Sequence, residues 1–132
     1  MKNIILDTNF LMIPWQFKVD IFSEFERICN FNYRLCVYEQ SFGELKNIIQ
    51  NQSGKDKKAA QFALKLIKLK NIKILKSEKK DVDSLILENF DENSIIATQD
   101  FILKRKLLEK GASIAILRQK KYLQLLERKI YK

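Results

Sequence analysis

Four acidic residues in this chain stand where side chains could act together on a phosphate: Asp7, Glu44, Asp83 and Asp100. Carboxylates of this kind hold a hard cation such as Mg²⁺ or Mn²⁺, with waters and substrate phosphate completing the shell. The metal lowers the pKa of a bound water and stabilises charge on the phosphate, and a second ion can stabilise the leaving oxygen. Carboxylates set side by side repel one another, and a bound cation relieves that repulsion. The chain has no histidine, and its two cysteines, Cys29 and Cys36, are not in Cys-x-x-Cys spacing. Thiol–imidazole zinc sites and histidine-based triads are therefore excluded, and any metal must be held by oxygen ligands.

The elements that must position these acids follow from the apolar pattern. Asn3-Ile-Ile-Leu-Asp7-Thr8-Asn9 reads as a buried strand running into a turn. Pro14 and Trp15 mark a loop, and a helix is predicted over about 18–30. Arg34–Tyr38 is a second strand, followed by a helix over about 40–51 with Phe42, Leu45, Ile48 and Ile49 as its stripe. Asn51-Gln-Ser-Gly54 breaks it. A helix over 55–70 places Ala59, Ala60, Phe62, Ala63, Leu66, Ile67 and Leu69 inside and its lysines outside. Ile72–Leu75, Ser94–Thr98 and Ser113–Leu117 are predicted strands. A short helix over 82–90 precedes the second of them, and Phe101–Lys110, stopped by Gly111, follows it. Tyr122, Leu125, Leu126 and Ile130 suit a closing helix. Strands alternating with helices imply an α/β fold, one domain over 1–132 with a parallel sheet covered on both faces. Ligands of such sheets bind outside the carboxyl ends of the strands. Asp7 ends the first strand, and Glu44, Asp83 and Asp100 sit at or near the start of helices that follow strands. Taken singly, each has a plainer role: Asp7 a turn, Asp100 an N-cap, Asp83 a dipole charge, Glu44 a surface residue. Asp81 reads as a cap or flanking charge, and Asp91 and Glu92 as turn residues.

At 132 residues, with 46% hydrophobic and 31% charged, the composition is that of a globular domain. No apolar run approaches the roughly 18 residues of a membrane span, so a cytosolic protein is expected. The net charge of +9 is unevenly spread. Residues 46–80 carry eleven basic and two acidic groups, whereas residues 81–100 carry six acidic and no basic ones. An acidic pocket within a basic rim suits a metal-dependent enzyme acting on a polyanion, although Lys-rich helices are also ordinary solvated faces.

In order along the chain, Ile5-Leu-Asp7-Thr8-Asn9, Gly43-Glu44-Leu45, Val82-Asp83-Ser84-Leu-Ile86 and Ala97-Thr98-Gln99-Asp100 resemble the motifs of PIN-domain ribonucleases. The C-terminal Leu117-Arg118-Gln-Lys-Lys-Tyr122-Leu123 resembles small archaeal members. The resemblance implies a three-layer sandwich with a five-stranded, mostly parallel sheet. It implies endonucleolytic hydrolysis of RNA with Mg²⁺ or Mn²⁺, and it matches Asp7, Glu44, Asp83 and Asp100 to acidic metal ligands. Thr98 matches a hydroxyl residue beside that site. Two departures stand out: Ser84 where relatives often have a second Asp, and Gln99 where they often have Asn.

Asp7 and Asp100 are the expected principal ligands, Asp83 and Glu44 complete the shell or orient water, and Thr8, Asn9 and Thr98 support them. Lys104, Arg105, Lys106 and Arg118 are the expected phosphate contacts. Two biological roles fit: the toxin of a VapBC-type pair, whose antitoxin would plug the acidic site, or an rRNA-processing nuclease. A homodimer is plausible by resemblance. A non-catalytic RNA-binding module is the competing reading, and a receiver-type signalling domain fits less well, since strand one ends in a single acid.

Overall fold

A computed structural model describes residues 1–127. Six strands form one sheet: β1 (Lys2–Leu6), β2 (Tyr33–Tyr38), β3 (Lys73–Leu75), β4 (Ser94–Ala97), β5 (Ser113–Arg118) and β6 (Tyr122–Leu126). Their spatial order is β3-β2-β1-β4-β5-β6. All neighbouring pairs are parallel except β5 and β6. The α-helices among the described residues are α1 (Ile13–Phe17), α2 (Ile21–Ile28), α3 (Gln40–Asn51), α4 (Gly54–Leu69), α5 (Val82–Asn89) and α6 (Phe101–Glu109), and a 3-10 helix, Phe10–Met12, leads into α1.

The central strand explains the layering. Ile4 and Leu6 point into one core with Phe10, Phe25, Leu45 and Ala63, which puts α1–α4 on that face. Ile5 points into the other with Ile86, Leu103 and Leu107, which puts α5 and α6 there. Alternation along a strand and burial on both sides give this three-layer sandwich. From β1 the chain winds outward through β2 and β3, then returns to lay β4 on the opposite side of β1. The direction of winding thus reverses between β1 and β4, the kind of switch point at which open α/β sheets bind ligands.

Three expectations are corrected. The sheet has six strands, not five, because Tyr122–Leu126 is an antiparallel edge strand rather than part of a closing helix. Leu123 and Leu125 face the first core and Leu126 the second, which is strand alternation. Ile130 lies outside the described residues. The turn into β6 puts Gln119 and Lys120 in left-handed backbone, φ 51° and 56°, without the Asn-Gly or Asp-Gly that usually announces such a turn. Pro14 and Trp15 belong to α1 rather than a loop, with Pro14 at the helix start where its missing N–H costs nothing. The helix predicted over 18–30 is accordingly α2 alone, begun by the Asp20 carboxylate, which accepts from the Phe22 and Ser23 N–H groups. Leu69, placed inside by its spacing, is 77% exposed at the end of α4.

Candidate active site

Asp7 is the most buried acid of the chain's described part, 4% exposed, at the exit of β1. Its backbone N–H still pairs with Ala97 O of β4 at 2.9 Å, so its position is set by the sheet. Its two oxygens are held separately. Oδ1 accepts from the Thr8 N–H at 2.9 Å, and Oδ2 accepts from the Thr98 hydroxyl at 2.7 Å. Thr98 Oγ1 accepts in turn from the Asp100 N–H at 3.0 Å. One buried hydroxyl thus ties the ends of β1 and β4 together. Asn9 adds a second tie, its Oδ1 accepting from the Gln99 N–H at 3.3 Å.

Helices bring the other acids. Asp100 caps α6, its Oδ1 accepting from the Ile102 and Leu103 N–H groups, so the cap and the cleft share one carboxylate. Asp83 lies in the first turn of α5, where the capping is done by Asp81 through the Ser84 N–H and hydroxyl. Glu44 is on the second turn of α3. Asp7, Glu44, Asp83 and Asp100 together line one cleft of about 410 Å³ with Thr8, Asn9 and Asn47. Ser84 and Gln99 are not among its lining residues: the Ser84 hydroxyl is spent on Asp81.

The electrostatics follow from that crowding. Burial raises the Asp7 pKa from 3.8 to about 6, against the Thr98 hydrogen bond that lowers it, and the Asp83 and Glu44 charges add to the rise. Burial also raises Asp83, with help from Asp100 and Glu44, while Lys106 pulls it down. Among the described residues neither salt bridge involves a cleft acid. Oxygen donors that are negatively charged, partly desolvated and without an ion-pair partner fit a hard divalent cation. As placed, no group of three acids among the described residues stands close enough to enclose an ion. Mutual repulsion of like charges favours such a spread of the side chains.

Spacing along the chain did not reveal Ser41, Met12, Asn47 or Ile48. Ser41 Oγ and Thr8 Oγ1 share a 2.8 Å hydrogen bond, both residues buried, which fixes α3 one turn before Glu44. Met12, Asn47 and Ile48 line the cleft. Asn47 and Ile48 could have been found: residues three and four after Glu44 share its helix face. Of the expected phosphate contacts, Lys104 is half-buried beside Phe101, its Nζ 5.8 Å from the ring centre. Arg105 and Lys106 are exposed on α6. Arg118 is exposed at the end of β5, its Nε donating to Gln124 Oε1 at 2.7 Å. None of the four is a lining residue of the cleft.

The profile of the family described as "PIN like domain" matches residues 4–120. The chain belongs to that family. Two relatives carry the likeness over nearly the whole PIN domain. Ribonuclease VapC4 of Methanocaldococcus jannaschii is 32% identical over 127 residues, covering 95% of this chain and 97% of that protein. Ribonuclease VapC9 of Archaeoglobus fulgidus is 31% identical over 117 residues, covering 89% and 84%. Among solved structures, the PIN domain endonuclease Utp24 superposes with a TM-score of 0.78 at 20% identity, covering 97% of this chain and 92% of that one. At that identity the match speaks for the fold alone.

Proposed function

We propose that this PIN domain is a metal-dependent endoribonuclease, with Asp7, Asp100, Asp83 and Glu44 holding Mg²⁺ or Mn²⁺. The observation that carries the reading is the cleft at the β1/β4 switch point, lined by four carboxylates of which none, among the described residues, is in a salt bridge. Its kinship with two proteins named as ribonucleases supports RNA as the substrate. When bound, the ion supplies a water of lowered pKa and neutralises charge on the scissile phosphate. The chain's own residues do the positioning. Thr98 and Thr8 hold the two Asp7 oxygens in fixed directions, and Asn9 keeps the β1 and β4 exits in register. Lys106, whose charge reaches Asp83, meets the phosphate from the α6 side, with Lys104, Arg105 and Arg118 farther out on the rim.

The likeness to VapC proteins favours a toxin that pairs with an antitoxin covering the acidic cleft, acting as a homodimer in the cytoplasm. An rRNA-processing role rests on the resemblance of the Asp83 motif and the Thr98-Gln99-Asp100 stretch to the PIN domains of small-subunit processing factors. A small antitoxin-like reading frame beside the gene would favour the toxin, and its absence the processing role.

Cleavage of a labelled single-stranded RNA with Mn²⁺, Mg²⁺ or EDTA tests the proposal, comparing the native chain with Asp7→Asn. Metal-dependent cleavage that the substitution abolishes is expected. RNA binding without cleavage under any metal would mean a binding module instead.

A further inference from the structure

A second concavity of about 700 Å³ lies between α1 and the first turn of α4, lined by Trp15, Phe17, Lys18, Lys55, Asp56 and Lys58 among others. Lys18 Nζ sits 3.8 Å from the centre of the Trp15 ring. Lys120, from the tip of the β5–β6 turn, reaches to 5.8 Å from the Phe17 ring. Three exposed lysines, Lys18, Lys55 and Lys58, thus line the groove against one acid, Asp56, and Lys18 and the exposed Lys120 stand near its two aromatic rings. None of the four makes an ion pair among the described residues. The groove lies close to the acidic cleft along the chain: Met12 lines the cleft, and Trp15, three residues on, lines the groove.

We propose that this groove receives single-stranded RNA leaving the acidic cleft, which rests on the ribonuclease reading above. Lys18, Lys55, Lys58 and Lys120 meet successive phosphates. One base stacks on Trp15, displacing the Lys18 ammonium, which turns to a phosphate. Cations interleaved with aromatic faces match a polymer that alternates phosphates with planar bases. An acidic peptide would satisfy the lysines but does not carry a planar base beside every charge, as a nucleic acid strand does. A second copy of this chain would bring like charges together.

Trp15 is the sole tryptophan, so its emission reports on this groove alone. The protein, kept in EDTA to prevent cleavage, is titrated with an unstructured oligoribonucleotide of about a dozen nucleotides. Trp15 emission should change saturably, with the same Kd as the anisotropy of labelled RNA. The Lys55→Ala/Lys58→Ala double variant, altered only at exposed positions of α4, should raise Kd roughly tenfold. It should also flatten the plot of log K against log salt by about 1.4, about 0.7 for each lost phosphate contact on a single strand. An unchanged Kd and slope, with Trp15 emission silent, overturns the groove. An oligoglutamate that reproduces the Trp15 change and competes with RNA also overturns it, in favour of a protein-docking surface. Metal-dependent cleavage alongside either result leaves the ribonuclease reading standing. A native chain that neither binds nor cuts RNA removes both.

Discussion

Asp7 is held in the charged cleft at a cost. Its folded pKa of about 6 exceeds its unfolded value of 3.8. Between those values the unfolded chain binds fewer protons than the folded one, so this residue's contribution lowers stability as pH rises through that window. The full difference is about 3 kcal/mol. In EDTA, Asp7→Asn should therefore be more stable than the native chain at pH 7, by about 1–2 kcal/mol after the weakened hydrogen bonds are subtracted. The gain should disappear toward pH 4. Urea unfolding across pH 4–8 measures it, and identical pH slopes for the two proteins would sink the idea. Thr98→Val removes the donor to Asp7 Oδ2 and the acceptor for the Asp100 N–H together. It should destabilise by about 1–3 kcal/mol and move the acid limb of the cleavage pH profile upward, because that hydroxyl stabilises the carboxylate. Thr98→Ser should restore both. A profile unmoved by the valine would show that the hydroxyl only supports the fold.

At the scale of elements, β6 is the addition to the expected layout. Its outer edge is occupied at Leu123, whose N–H donates to Glu24 Oε1 at 2.8 Å and whose carbonyl accepts from Arg27 at 2.9 Å. Glu24 and Arg27 are themselves paired at 2.9 Å, so α2 covers part of an edge that would otherwise invite another strand. Leu123→Ala should cost about 2–5 kcal/mol, since the side chain is buried in the first core. Replacing Gln119-Lys120 by Asn-Gly should raise stability by about 1 kcal/mol or more, because left-handed backbone is costly for ordinary side chains. The same replacement should weaken RNA binding, since it removes Lys120. A variant that is less stable than the native chain would mean the turn is not built as described.

For the whole molecule, the decisive property is the separation of charge: acids gathered at the switch point, lysines around it. A divalent ion that binds the folded state alone should raise the melting temperature in proportion to the logarithm of its concentration above Kd. Asp7→Asn should lose most of that rise while keeping its higher metal-free stability. Calorimetry with and without Mn²⁺ separates the two effects. Equal rises in both proteins would place the ion elsewhere.

Much of this was legible from residue order. The β1, β2, β4 and β5 runs are apolar and short, and the α3, α4 and α6 stripes have clear helical spacing, so local pattern and tertiary burial agreed. That the four acids line one cleft was legible because each follows a strand in a layout whose geometry brings strand ends to one edge. Other features depend on contacts between distant parts of the chain. Tyr122–Leu126 has spacing that suits a helix as well as a strand, and only pairing with β5 decides it. Ser41 sits at 0% exposure because Thr8, far away in sequence, takes its hydroxyl. The Trp15 groove exists because α1 and the start of α4, far apart in sequence, come together. Sequence by itself determined which residues carry charge and which faces are apolar, since periodicity and composition are local properties. Tertiary structure alone decided which charges are buried together and which lysines meet aromatic rings, because burial and proximity arise only when separate elements pack.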